Sequence, residues 1–597
     1  MCGIAGLMMR DGSRPDAAIL QSFEMSLAHR GPDGKGQYVG DGTALMQTRL
    51  SIIDLDTGDQ PMFEQGVDDD QAAVLVGNGE IYNYRELRDD LPDVKFATAS
   101  DCEPPLYLYR KHSFDFARHL RGMYAFAIYD PAPKRLVLTR DPFGIKPLYY
   151  VETADYFAFA SEIQALVGAG LVEPEINTAA RDELFQLQFT TGGETILAGV
   201  HRLAPGETIV VEGGRIIERR TIAALPAGGP QDVTEEQALQ RVEDALMQSV
   251  DFHQRADVPY GMFLSGGIDS SALLALMARL NDTPVRAYTA GFPGTNARDE
   301  RDHARAVADA VGAEAIDVPV TEADFWRDLP AIAAAMDDPA ADYAIVPTYL
   351  LGRAAGADLK VVLTGEGGDE LFGGYGRYRT ARRPRWLGGR PLRSRGTFDG
   401  MDILRQLPPH WRNGIAAAET SAKIPGRTAL QVAQATDCAD WLPNDLLTKA
   451  DRCLMAHGLE GRVPFLDPAV VAVSFCLPDR LKIEGRMGKV LLRRWLDKAL
   501  PVADAFSKKR GFTVPVSEWI AGKSAELGPL VAAQPGVLAA CHETEVVSLF
   551  SALHKNPGDK RRGFAAWTIL FYALWHHRHI LGQRPDGNVL ETLSLKA

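Results

Sequence analysis

The chain has little cysteine for its length, six in 597 residues at positions 2, 102, 438, 453, 476 and 541. None forms a C-x-x-C pair, so a disulfide framework is excluded and a reducing cytoplasm is the expected compartment. It has no run of 18 or more apolar residues, and no basic lead-in precedes the short apolar stretch at its start, so neither a membrane span nor a secretory leader is expected. Positive charge is in deficit: 64 lysine plus arginine stand against 78 aspartate plus glutamate, a net charge of −14. That argues against nucleic acid as a partner and means that any bound anion must be met by a local field. A Walker G-x-x-x-x-G-K-[ST] loop is missing, and so is any internal repeat.

What is there is an ordinary apolar supply, 46% hydrophobic residues with 24% charged, enough for real cores. The length calls for two to four domains of roughly 100 to 200 residues each. Residues 1–215 read as a β-rich layered unit, with strands at 43–46, 73–76, 124–129, 136–139 and 156–160 and helices at 19–27 and 84–91. The soft stretch 223–231 places a linker at 216–232. In 233–597 the period changes: helix at 233–250, strand at 260–264, helix at 271–280, strands at 285–289 and 359–363, the alternation of a parallel α/β sheet, with a mainly helical end beyond 410. The arginine-crowded stretch 381–396 reads as a solvated surface excursion, an anion-binding patch being the less favoured alternative.

Cys2 follows the initiator methionine, and a side chain this small at position two permits methionine removal. The freed α-amine titrates near neutrality and takes the thiol proton as sulfur attacks a carbonyl carbon, so the nucleophile carries its own base. Taken alone, Cys2 reads better as a small apolar residue. It is followed in order by His29-Arg30-Gly31-Pro32-Asp33, Arg49-Leu50-Ser51-Ile52-Ile53-Asp54, Asn78-Gly79-Glu80-Ile81-Tyr82-Asn83, Ser100-Asp101-Cys102-Glu103 and the run from Arg140-Asp141-Pro142-Phe143-Gly144 to Tyr150. In this ordered set residues 1 to about 210 resemble the class II glutamine amidotransferases, whose glutaminase domain is an N-terminal-nucleophile (Ntn) αββα sandwich. The resemblance implies a glutamine site in which Arg49, leading the segment Leu50, Ser51, Ile52 and Ile53, pairs with the substrate carboxylate. By the same resemblance Asp101 meets the ammonium, and Asn78, Gly79 and Glu80 supply an amide side chain and a backbone N–H to the oxyanion. Singly, Arg49 reads also as a strand-end salt bridge, Asp101 as a helix N-cap before Glu103, and Asn78-Gly79 as a hairpin turn. Cys102 stands where a threonine is usual, and Gln47-Thr48 precede Arg49 where a His-Arg pair is common.

Gly261-Met262-Phe263-Leu264 runs as a strand into Ser265-Gly266-Gly267-Ile268-Asp269-Ser270-Ser271, which opens a helix over 272–280. A strand, a Ser/Gly turn and a helix N-terminus present several N–H groups and hydroxyls to an anion. The motif resembles the loop of ATP pyrophosphatases. Thr364-Gly365-Glu366-Gly367-Gly368-Asp369-Glu370 resembles a second signature, that of the asparagine synthetase family. This resemblance implies an ATP site made by Phe263, Leu264, Ser265, Gly266, Gly267, Asp269, Ser270, Ala290, Thr364 and Gly365. It implies Mg2+ on Asp269 and Asp369, a cation usually held by one or two carboxylates plus phosphate oxygens. Glu366 is implied in forming or aminating an acyl-adenylate, and Lys449 in neutralising phosphate charge. The stretches 442–452 and 459–467 and Lys509-Arg510-Gly511-Phe512 continue the family pattern, whereas Tyr343-Ala344 replaces a usual Pro-Ser in the acceptor segment after Asp337-Asp338-Pro339.

The whole implies an Ntn αββα sandwich joined to a parallel α/β ATP-pyrophosphatase domain with a helical C-terminal part. The activity implied is a glutamine-dependent asparagine synthetase: Cys2 releases ammonia from glutamine, and the ammonia meets a β-aspartyl-AMP made from aspartate and ATP. The alternative is an amidotransferase of the same family acting on a carboxylate of a peptide, sugar or secondary metabolite. Oligomeric state is left open, a homodimer among the alternatives.

Overall fold

The computed structural model describes residues 2–68, 70–297, 299–406, 409–507 and 514–595; the expected Lys509–Phe512 motif lies outside them. Twelve strands come from the first part of the chain: β1 Gly3–Met9, β2 Gly34–Val39, β3 Thr43–Arg49, β4 Met62–Phe63, β5 Val74–Ile81, β6 Gly122–Asp130, β7 Arg135–Arg140, β8 Tyr149–Glu152, β9 Tyr156–Ala160, β10 His201–Arg202, β11 Glu207–Glu212 and β12 Arg215–Thr221. They form two antiparallel six-stranded sheets, ordered β10-β8-β9-β1-β3-β2 and β12-β11-β7-β6-β5-β4.

Period-two sorting of side chains builds the layers. Ile4 and Met8 of β1 join Leu45, Val76, Ala127 and Leu138 in the core between the sheets. Ala5 and Leu7 face the other way, onto Phe23 and Leu27 of the helix Ala17–Leu27. On the far side Leu75 and Phe126 meet Leu106 and Leu108 of the helix Pro104–His112. The result is an αββα sandwich. β1 was not among the expected strands, because it is buried on both faces and shows no apolar–polar alternation. Where a linker was expected from 216, β12 stays hydrogen-bonded to β11 as far as Thr221. Its alternating exposure and its arginines disguise an edge strand.

The second part holds a parallel sheet ordered β15-β14-β13-β16-β17, with β13 Tyr260–Phe263, β14 Arg286–Gly291, β15 Glu314–Pro319, β16 Val361–Leu363 and β17 Glu460–Arg462. Strand order reverses around β13, so a crevice opens beyond the C-terminal ends of β13 and β16, the usual ligand position in such sheets. Helices cover the sheet, and apart from a short antiparallel pair, Ile483–Glu484 with Met487–Gly488, the regular structure in the rest of this part is helical, centred on Lys560–His579, whose Trp567, Phe571 and Trp575 are buried. Among the described residues no helix is long and apolar enough to cross a membrane. The two parts share a core, in which Leu50, Ile52, Ile53 and Phe143 pack with Leu246, Leu264 and Leu466.

Candidate active site

β1 carries Cys2 at its head and buries it. The Cys2 N–H donates to Asn78 Oδ1 at 3.1 Å, and Arg30 Nε donates to the Cys2 carbonyl at 3.2 Å. Burial pushes the Cys2 thiol above its ordinary range, although the Leu50 N–H directed at it acts the other way. Asn78 lies in the middle of β5 rather than in a hairpin turn, fixing its amide; Nδ2 is buried and donates to nothing, a free donor next to the nucleophile. Gly79 must be glycine, since a Cβ there would stand 2.2 Å from the Met123 carbonyl oxygen across the sheet.

Asp101 is no helix cap: the helix that follows begins at Pro104, and Asp101 Oδ2 instead accepts from the Ile81 N–H at 2.7 Å. Burial, with Glu460 adding repulsion, raises its pKa to about 6. Glu80 is raised further, by burial first and then by Asp101 and Glu460. Arg49 ends β3, where Nη1 meets Asp59 at 2.7 Å and Nη2 meets the Asp54 carbonyl at 2.5 Å. Of the segment after it, Leu50, Ile52 and Ile53 turn their side chains into the shared core, so only backbone is left to face a ligand. The Ser51 N–H is taken by Asp33 at 2.8 Å.

The second centre is the crevice of the parallel sheet, a cavity of about 680 Å³ lined by Phe263, Leu264, Ser265, Asp269, Ser270, Ala290, Thr364, Gly365, Glu366, Asp369 and Lys449. The helix after β13 starts at Ile268, earlier than the expected 272, so Asp269 and Ser270 stand in its first turn. Gly266, at φ +65°, bends the loop, and Ser265 Oγ accepts from the Gly267 N–H at 3.3 Å and lies 3.1 Å from Ser270 Oγ. An adjoining cavity of about 220 Å³ is lined by Ser265, Gly266, Gly267, Asp369, Lys489 and Arg493 among others.

Lys489, unassigned from the motifs, joins the two carboxylates expected to hold Mg2+. Its Nζ is 2.7 Å from Asp369 Oδ1 and bonds Asp269 Oδ2 as well, and the pair holds it up at about 12 against the effect of burial. Two carboxylates converging beside the Ser/Gly loop are oxygen ligands of the kind magnesium takes, so their chemistry fits the ion once it displaces the Lys489 ammonium from between them. No group of three or more His, Cys, Asp or Glu side chains forms a cage for a metal among the described residues. Lys449 Nζ pairs with Asp342 at 2.9 Å. Burial works to lower its pKa, but Asp342 and Glu366 outweigh it and hold the ammonium well above its usual range. Glu366 is itself pushed upward by burial, with Lys449 opposing.

The centres are joined by buried charge. Arg30 bonds Glu162 at 2.7 Å and Asp451 at 2.8 and 3.0 Å; Arg452 bonds Asp337 at 2.6 Å and Asp451 at 2.9 Å; Arg202 and Tyr149 converge on Asp338. Arg462 on β17 reaches Glu80 at 3.3 Å, while its carbonyl accepts the Thr364 N–H at 2.9 Å. The sequence could have flagged these residues only through their positions in the motifs, because isolated arginines carry no signal of burial.

A sandwich headed by a buried cysteine, fused to a parallel sheet with a Ser/Gly loop at its crevice, defines the class of two-domain glutamine amidotransferases. Residues 1–221 match the glutamine amidotransferase domain and residues 241–577 the asparagine synthase family. "Asparagine synthetase [glutamine-hydrolyzing] 1" of Bacillus subtilis is 32% identical, covering 97% of each chain. "Asparagine synthetase B [glutamine-hydrolyzing]" of Escherichia coli is 30% identical over 87% of this chain and 83% of its own. "Amidase chry2" of Gibberella zeae is 33% identical over 64% and 60%. The chain belongs to the asparagine synthetase (glutamine-hydrolysing) family.

Proposed function

We propose that the enzyme is a glutamine-dependent asparagine synthetase. The observation that supports this reading is the link between the two centres through Arg462 on β17, whose guanidinium reaches Glu80 while its backbone carbonyl accepts the Thr364 N–H. At the first centre Cys2, freed of Met1, attacks the glutamine carboxamide with its own α-amine taking the proton. A base is needed because burial keeps the thiol protonated. Asn78 Nδ2 and the β5 backbone hold the oxyanion, Arg49 the glutamine carboxylate and Asp101 its ammonium. Collapse of the adduct, with the proton returned to nitrogen, breaks the C–N bond and releases ammonia, and water then hydrolyses the remaining thioester to glutamate.

At the second centre the Ser265–Ser270 turn cradles the phosphates of ATP, Phe263, Ala290 and Thr364 flank the nucleotide, and Asp269 and Asp369 hold Mg2+. Magnesium, when bound, neutralises charge on the departing pyrophosphate. Lys449 stays protonated and meets charge on the α-phosphate. Glu366, raised by burial, is placed to take a proton from ammonia as it attacks the adenylated carboxylate. The buried layer between the centres keeps water from the ammonia and the adenylate alike. The products are asparagine, glutamate, AMP and pyrophosphate.

A different acceptor carboxylate is favoured by one feature, the aromatic wall made where Tyr343 stacks on Phe564 at 5.6 Å, in the segment that departs from the family. Pyrophosphate release by purified protein with glutamine, Mg-ATP and a panel of carboxylic acids separates the two. Aspartate as the preferred acid upholds the synthetase; silence with aspartate and turnover with another acid overturns it.

A further inference from the structure

The far wall of the large cavity is made by the stretch that the sequence assigned to solvent. Arg383, Arg390 and Arg395 are exposed, but Arg393 turns into the cavity, in contact with two rings, 5.0 Å from the Phe189 centroid and 4.6 Å from that of Trp441. Its Nε is sealed from solvent without a partner, and the guanidinium makes no hydrogen bond or ion pair among the described residues. Arg377 on the same wall is different: it lies over Trp441 and is satisfied by Asp437 at 2.8 Å. Arg561, the other arginine lining the cavity, is exposed.

Arg393 is also held in place at a cost. It adopts a left-handed backbone, φ +46°, rare outside glycine. The chain is pinned on both sides of it, at Leu392, whose N–H bonds Glu419 at 3.0 Å, and at Phe398, whose N–H bonds Gln186 at 3.1 Å. Across Trp441, whose Nε1 donates to Asp445 Oδ2 at 2.5 Å, the second oxygen of Asp445 is buried and has no partner. A free guanidinium and a free carboxylate oxygen on one wall match a carboxylate and an ammonium on one ligand.

We propose that Arg393 and Asp445 bind the amino-acid head of the acceptor, Arg393 its non-reacting carboxylate and Asp445 its ammonium, so that the acceptor is an amino dicarboxylate whose other carboxylate reaches Glu366 and Lys449. This rests on reading the cavity as the acceptor's site. Three acids dissect it: aspartate, succinate without the ammonium, and 3-aminopropanoate without the second carboxylate. Arg393→Ala lowers kcat/KM for aspartate on the order of 100-fold, chiefly through KM, and barely changes it for 3-aminopropanoate, the loss expected for a charge-assisted pair. Arg393→Lys recovers part of it, and Asp445→Asn penalises aspartate but not succinate. Glutamine hydrolysis at Cys2 and ATP binding, read on the same samples, certify the fold. If Arg393→Ala keeps the wild-type preference for aspartate over 3-aminopropanoate, or loses both acids equally, the assignment is wrong while the synthetase reading stands. If the wild-type enzyme prefers a different acid with a second anionic group and Arg393→Ala abolishes that preference, Arg393 keeps its role and the aspartate reading falls.

Discussion

At Asp101 burial outweighs the Ile81 N–H and the charge of Arg462, and its raised pKa of about 6 sets two sign-definite expectations. Between the unfolded value of about 4 and the folded value, the unfolded chain has lost a proton that the folded chain keeps, so stability falls as pH rises through that window. Asp101→Asn removes this fall, readable in urea melts at pH 4.5 and 6.5. Glutamine binding runs the other way: its ammonium needs the carboxylate, so KM for glutamine drops as pH rises through 6, and the Asn variant shows no such limb. A variant that keeps it places the titration elsewhere. Gly79→Ala forces a Cβ to 2.2 Å from the Met123 carbonyl, and β5 must shift; soluble protein with the wild-type melting temperature would contradict the close approach. The motif order singled out Cys2, Asn78 and Asp101 as candidates, and the structure brings Cys2 and Asn78 into hydrogen-bond contact. The burial that sets their protonation was not legible in the sequence, and neither was Arg393, because a charge beside Pro and Gly reads as surface until a cavity is seen behind it.

Among the elements, the segment Asp437–Leu447 winds as a π-helix, with Pro443 inside it. Its wider i→i+5 turns set Trp441 and Asp445 on the cavity wall just before Lys449, where tighter winding would rotate them off it. Proline lacks the N–H that a regular turn would use, which favours the irregular one. Pro443→Ala therefore lets the segment tighten, and synthesis falls by about 10- to 100-fold for displacements near 1 Å while glutamine hydrolysis persists. Equal rates for both reactions in that variant would show that the winding does not matter. Elements of one clear period were legible: β9 and the helix Ala17–Leu27 fall where the pattern puts them. β1, apolar on both faces, and β12, rich in arginine, hide because each mimics something else, and no local pattern announces a π-helix.

For the molecule as a whole, the layer of Arg30, Glu162, Asp451, Arg452 and Asp337 fastens the two parts together, and the proposed function asks it to act as a seal as well. Removing one member of such a buried pair leaves the other uncompensated and costs about 3 to 5 kcal/mol. Arg30→Met should lower the melting temperature and raise glutamate formed per pyrophosphate released, since ammonia then escapes; an unchanged ratio would mean that the seal lies elsewhere. Because every arginine in this layer answers a carboxylate on the opposite unit or beside it, the two halves are matched like lock wards. A chimera that joins a relative's first 221 residues to this second half will couple its two reactions only if the grafted piece brings side chains that answer Asp338 and Asp451, so those two positions, more than the point of fusion, set which halves are interchangeable.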